Sequence, residues 1–213
     1  FTESDRIREN REAVKRDNNN IFGKKFELDS LGRIVEVKYV GHEDEIISDK
    51  HGVAGIKYQY SKGNLVRKDY LGIDGHLVYN SQKYARCDMK YDEFGNKIET
   101  INYDPDKRAC LDDQYICRAE REYDKSGFCT EIRCYNTENK LALNSFNWAI
   151  RKIGNDSKGR MIMLSHFGID KKPCYDDSWV NTYKLKYNSQ DCLTELASFD
   201  VNNNPCVDKS SGA

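Results

Sequence analysis

Long apolar runs are missing from this 213-residue chain; nothing approaches the roughly 18 consecutive apolar residues that a membrane-spanning helix requires. A dominant charge is missing too. The 34 Lys and Arg nearly cancel the 35 Asp and Glu, which removes the bulk-charge argument for a nucleic-acid or anionic-membrane partner. Apolar residues are scarce at 38%, a level suited to a thin body with much surface rather than a thick core. The chain opens on Phe1 without the basic, apolar and small-residue succession of a secretory signal. It is expected to be part of a longer polypeptide.

Catalytic signatures are equally thin. The four histidines, His42, His51, His76 and His166, are scattered, with no His-x-x-x-His, no Gly-x-Ser-x-Gly and no phosphate loop. Asp104-Pro105-Asp106 and Asp200-Val201-Asn202-Asn203-Asn204 resemble pieces of calcium loops, in which oxygen ligands alternate. Asp and Asn are equally what a turn needs, and no closing bidentate Glu stands at the required offset. No catalytic residue, cofactor or metal ligand is expected.

What is present is a period. Turn residues recur at Gly32, Gly63, Gly95, Gly127, Gly159 and Asp191, at intervals of 31 and then 32 four times over. An Asp-x-x-Gly loop lets the carboxylate accept from backbone N–H groups while the glycine takes the positive φ that closes a hairpin. Asp tolerates that left-handed region well enough for Asp191 to stand in. The flanks read as strands. Residues 85, 87, 89 and 91 share one face of Ala85–Tyr91, and Tyr183, Leu185 and Tyr187 share one face of Thr182–Tyr187, with charge on the other face.

A second turn follows each hairpin, at Asp74-Gly75, Asp106-Lys107, Glu138-Asn139, Asp170-Lys171 and Asn202-Asn203. After it come a short third strand and a polar loop. Six such units fill residues 22–213, and one unit alone buries too little to fold, so neighbours must share an apolar face. The expected fold is all-β: antiparallel hairpin repeats forming an elongated twisted sheet or β-solenoid, preceded by a lead-in over 1–21 that contains a short helix or no regular structure. A closed propeller is the rival, disfavoured because about 32 residues is short for a four-stranded blade.

The eight cysteines fit the period. Cys110, Cys174 and Cys206 take the place of Ile47, Val78 and Ala142, Cys117 that of Ala85 and Ala149, and Cys129 that of Ile34, Leu65, Met161 and Leu193. Cysteine thus serves as a small hydrophobe. No Cys-x-x-Cys pair exists, and the Cys129 to Cys134 spacing is too loose to signal zinc. Unpaired thiols are expected, which favours a cytoplasmic setting.

Tyr91-Asp92-Glu93-Phe94-Gly95-Asn96 and Tyr123-Asp124-Lys125-Ser126-Gly127 resemble the YD-repeat, or RHS, class of bacterial β-hairpin repeat proteins, although the unit here is longer and carries a second turn. The resemblance implies a role in enclosing or displaying other segments, or in adhesion and carbohydrate contact. The loop aromatics Tyr84, Tyr115, Trp148 and Trp179 recur at nearly one position and are the candidate contact residues, either as a ladder that meets a partner or as a cover over the sheet. The expected function is a non-catalytic protein-interaction scaffold within a larger bacterial protein. The alternatives are an accessory or substrate domain of an enzyme system and a carbohydrate-binding module. A protein is the first expected partner, and carbohydrate the second.

Overall fold

The computed structural model describes residues 21–209. Its twelve strands are β1 (Gly23–Leu28), β2 (Ile34–Val40), β3 (Gly55–Ser61), β4 (Asn64–Leu71), β5 (Arg86–Tyr91), β6 (Lys97–Tyr103), β7 (Arg118–Tyr123), β8 (Cys129–Tyr135), β9 (Ile150–Asn155), β10 (Met161–Phe167), β11 (Thr182–Tyr187) and β12 (Leu193–Phe199). Hydrogen bonding follows chain order in one sheet that begins at β1 and ends at β12. The sheet does not close on itself, and there is no α-helix among the described residues. Two compact units divide the chain: residues 21–87 with Asp104–Arg108, and Asp88–Tyr103 with residues 109–209. Of the lead-in expected over residues 1–21, residues 1–20 lie outside the described residues and Ile21 is buried.

The motif of Asp92 shows how each hairpin closes. Gly95 N–H donates to the Asp92 carbonyl at 3.2 Å, and Asp92 N–H donates to the Asn96 carbonyl at 3.0 Å. Asp92 Oδ1 accepts from Phe94 N–H at 3.0 Å and Asn96 N–H at 2.8 Å. Gly95 has φ 86°, the left-handed value that the sequence requires there. The one shorter interval has its own cause: Lys62-Gly63 makes a two-residue loop closed by the Ser61–Asn64 pair.

This turn recurs three times per repeat, not twice. From Gly95 the left-handed residues fall at Lys107, Tyr115 and Gly127, in steps of 12, 8 and 12. The segment read as a polar loop is the third turn, built on Asp49, Asn80, Asp112, Asn144 and Asp176, each accepting two backbone N–H groups two and four residues on. The expected third strand shrinks to a single bridge, for example Tyr103 with Ala109 and Tyr135 with Leu141. A step of only eight residues from one left-handed position to the next leaves no room for a longer ladder.

At three second turns the capping acceptor moves while the backbone stays. Asp104, Asn136 and Asp200 cap from the first turn position. Gly41, Gly72 and Gly168 replace them; Glu45 reaches back to Glu43 N–H, whereas Asp74 and Asp170 accept from His76 and Lys172 N–H two residues on. A Cβ at Gly41 would collide with the Glu45 carboxylate.

In the first unit Ile21, Val37, Tyr39 and Val53 make a core, with Ile47, Ile56, Tyr58, Tyr70 and Val78 packed on it. In the second unit the turn-to-turn segment lies along the strand ends: Cys110, Ala142, Cys174 and Cys206 N–H donate to the Asn102, Cys134, His166 and Ser198 carbonyls at 2.9–3.0 Å. Ala85, Cys117 and Ala149 occupy one repeat position and are all buried. None of the eight cysteines is in a disulfide; Cys87, Cys117 and Cys134 are buried and Cys192 is exposed.

The opposite face is ionic. Arg86 meets Asp69 at 2.6 Å, Arg118 meets Glu99 at 2.9 Å, and Arg133 meets Glu122 at 2.6 Å. The Arg118 guanidinium also lies 3.9 Å from the centre of the Tyr135 ring. The motif tyrosine does more than flank a turn. Tyr60, Tyr123 and Tyr187 OH donate to the Ile34, Lys97 and Met161 carbonyls of the preceding hairpin at 2.9–3.0 Å, each across 26 residues. Asn155 Nδ2 makes the same bond to the Cys129 carbonyl.

Candidate functional site

The expected aromatic ladder resolves into two registers one residue apart. Tyr115 and Trp179 occupy the left-handed position of the third turn, with φ of 63° each. Tyr84 and Trp148 follow that position, held in their repeats by Lys83 and Asn147. Because a left-handed residue turns the chain, its side chain and the next one leave in different directions. Tyr115 and Trp179 are each 57% exposed, whereas Trp148 is 5% exposed and Tyr84 is half-buried against Tyr70, ring centres 5.7 Å apart. The turn residues Gly32, Gly63, Gly95, Gly127, Gly159 and Asp191 all have positive φ.

Trp179 stands in an open cleft of about 550 Å³ within the second unit, lined also by Asn147, Pro173, Tyr175, Asp177 and Val201. Its ring lies 5.9 Å from Tyr175, and the Lys209 ammonium sits 4.3 Å from the ring centre on its face. The walls are tied together by hydrogen bonds. Asn147 Nδ2 donates to the Tyr175 carbonyl at 2.9 Å, Asp177 N–H to the Phe146 carbonyl at 3.1 Å and Lys209 N–H to the Ser178 carbonyl at 3.2 Å. A bulky residue in the left-handed region is an uncommon and costly placement, of order 1–3 kcal/mol, of the kind that clusters at ligand sites.

The cleft borders a buried polar cluster that no motif announced. Asp176, also on the cleft wall, accepts from Ser178 and Val180 N–H through Oδ1 and from Tyr183 OH through Oδ2 at 3.0 Å. The same oxygen lies 3.6 Å from Nδ1 of His166, which is fully buried. Trp148 stacks on the imidazole at 5.9 Å and Tyr183 meets it edge-on at 6.2 Å. Arg151 donates from Nε to His166 Nε2 at 3.3 Å, and its guanidinium lies 4.2 Å from the centre of the Trp148 ring.

Burial, with the Arg151 charge second, pulls the His166 pKa down to about 4 against the opposing pull of Asp176. Burial lowers Arg151, and burial with the Asp176 charge raises Tyr183. The cluster therefore holds a neutral, fully buried imidazole beside a half-buried cation. Burial also pushes the Cys134 thiol up to about 12, and burial with Asp170 and Asp176 pushes Cys174 up to about 11. Among the described residues no group of three His, Cys, Asp or Glu converges as a metal site.

No family model matches the chain, and no curated protein matches it. Solved structures do match. A crystal structure of TcdB2-TccC3-TEV is 12% identical, covers 85% of this chain and 9% of its own, and has a TM-score of 0.45. A structure of the Photorhabdus luminescens Tc holotoxin pore is 12% identical over 83% of this chain and 10% of its own, with a TM-score of 0.36. A crystal structure of TcdB2-TccC3 without its hypervariable C-terminal region is 13% identical over 80% of this chain and 9% of its own, with a TM-score of 0.42. The chain spans about a tenth of the length of these solved chains.

Proposed function

We propose that this chain is a non-catalytic protein-interaction scaffold within a larger bacterial protein, and that it meets its partner through the Trp179 cleft. Trp179 carries the reading: a large exposed aromatic is kept in a left-handed backbone position where glycine, used at Gly52, is the unstrained choice. The ring already receives a cation, Lys209, on its face, which suits a basic side chain of a protein partner. The full burial of His166 supports a non-catalytic role for that imidazole. A sugar ring stacked on Trp179, with Asn147 and Asp177 at its rim, is the second reading.

The test compares Trp179→Ala with Trp148→Ala in pull-downs and on a glycan array, with melting curves alongside. The expected result is lost capture with unchanged melting for Trp179→Ala, and lower stability for Trp148→Ala, of about 3–5 kcal/mol as for other buried large aromatics. Partner capture unaffected by Trp179→Ala refutes the site. Glycan binding that depends on Trp179, without any protein partner, selects the second reading.

A further inference from the structure

The first unit contains an open pocket of about 600 Å³ beside the Arg86–Asp69 pair. Its lining on the sheet is Lys57 of β3, Asp69 of β4 and Arg86 of β5, with Lys57 directly opposite Asp69 across the strands. Two second turns complete it. His76 stands on one of them, and Pro105, Asp106 and Lys107 on the next. Leu71 and Leu77, joined by a single backbone bridge, supply the apolar part of the lining together with Pro105.

The carboxylates of this pocket are occupied, whereas the cations are not. Asp69 accepts from Arg86 Nε at 2.6 Å and from Nη2 at 3.1 Å, and Asp106 is paired with Arg108. The two-point bond fixes the plane of the Arg86 guanidinium and leaves its Nη1 without a partner among the described residues. Lys107 makes no ion pair among the described residues. Lys57 is 58% exposed and only reaches Glu36 at 3.8 Å, a carboxylate that Lys38 holds more closely at 3.1 Å. The next arginine in the repeat column is treated differently: Arg118 lies against two carboxylates, Glu99 and Glu120.

We propose that this pocket binds a small phosphate monoester, its phosphate among Arg86 Nη1, Lys57 and Lys107 and its apolar body against Leu71, Leu77 and Pro105. A monoester carries close to two negative charges at pH 7, which matches the two lysines that lack a full counter-charge. A simple carboxylate would leave one of them unanswered. A guanidinium already held in one plane presents its remaining N–H groups to an oxyanion with little further ordering. Apolar walls around a few convergent polar groups are the composition of a small-molecule site.

The test is calorimetric titration of the full chain with phenyl phosphate, inorganic phosphate and phenylacetate. Lys57→Gln and Lys107→Gln are compared with the wild type, and Lys50→Gln, outside the lining, is the control. Arg86 is kept, because its removal would leave the Asp69 carboxylate without its partner. Phenyl phosphate is expected to bind about tenfold more tightly than either inorganic phosphate or phenylacetate, and each lining variant to lose about tenfold, while Lys50→Gln binds as the wild type does. Absence of phenyl phosphate binding overturns the proposal. So does an equal loss in all three variants, the mark of bulk charge, and so does inorganic phosphate or phenylacetate binding as tightly as the ester. Melting curves of the variants check that the fold is intact. None of these residues lines the Trp179 cleft, so failure here leaves the cleft reading standing.

Discussion

His166 makes the stability of the second unit depend on pH in a window that few other groups share. In the unfolded chain the imidazole titrates near 6.5, and in the folded chain near 4. The folded pKa is depressed, so the unfolded state takes up the proton first. Stability is complete above about pH 6.5, declines as the pH falls and levels off below about 4. The full shift corresponds to about 3 kcal/mol, of which about 2 kcal/mol is lost by roughly pH 5. The turn carboxyls Asp29, Asp92, Asp104, Asp156 and Asp200 are held below the usual carboxylate range by hydrogen bonds within their turns, and Asp191 by Lys158 and Arg160 of the preceding hairpin, so their contribution is lost at lower pH. Urea unfolding followed by Trp148 fluorescence in a Trp179→Phe background reads the relevant region, since Trp148 stacks on His166. His166→Asn should remove most of the slope between about pH 7 and 5. If the variant keeps the whole slope, the argument from the buried imidazole is wrong.

Gly95→Val should destabilise by about 1–3 kcal/mol through backbone strain alone, because no atom lies within 4 Å of the added Cβ; a neutral melting curve refutes the turn assignment. Tyr123→Phe removes one bond between hairpins, from Tyr123 OH to the Lys97 carbonyl, and should cost about 1 kcal/mol by chemical denaturation. Thiol labelling of the native protein should modify Cys192 first and leave Cys134 untouched until unfolding, given the exposure of one and the burial of the other. Labelling of Cys134 at the rate of Cys192 would contradict the packing.

The period and the open sheet were legible because glycine marks the left-handed position at five of six hairpin turns. The third turn was not, since its left-handed residues are mostly Lys83, Tyr115, Asn147 and Trp179, of which only Asn147 signals a turn by type. That same disguise merged two registers of aromatics into one ladder. The relevant sign was the column of Asp49, Asn80, Asp112, Asn144 and Asp176, three residues before the left-handed position. His166 was hidden for a different reason. A lone histidine has no motif, yet aligned by period it falls in one column with Tyr39, Tyr70, Asn102 and Cys134, and Tyr39, Asn102 and Cys134 are buried.

The migrating turn acceptor has a consequence for how freely this surface can change. A single carboxylate or amide, arriving from the first, third or fifth position of the turn, caps it, so where the first position carries the acceptor the third, at the crest, is released from capping. Phe94 and Leu31, 82% and 75% exposed at two such crests, illustrate the latitude. Each crest is a site where a foreign peptide could be spliced in, or where a lineage could rewrite its contacts, while the sheet beneath keeps its register.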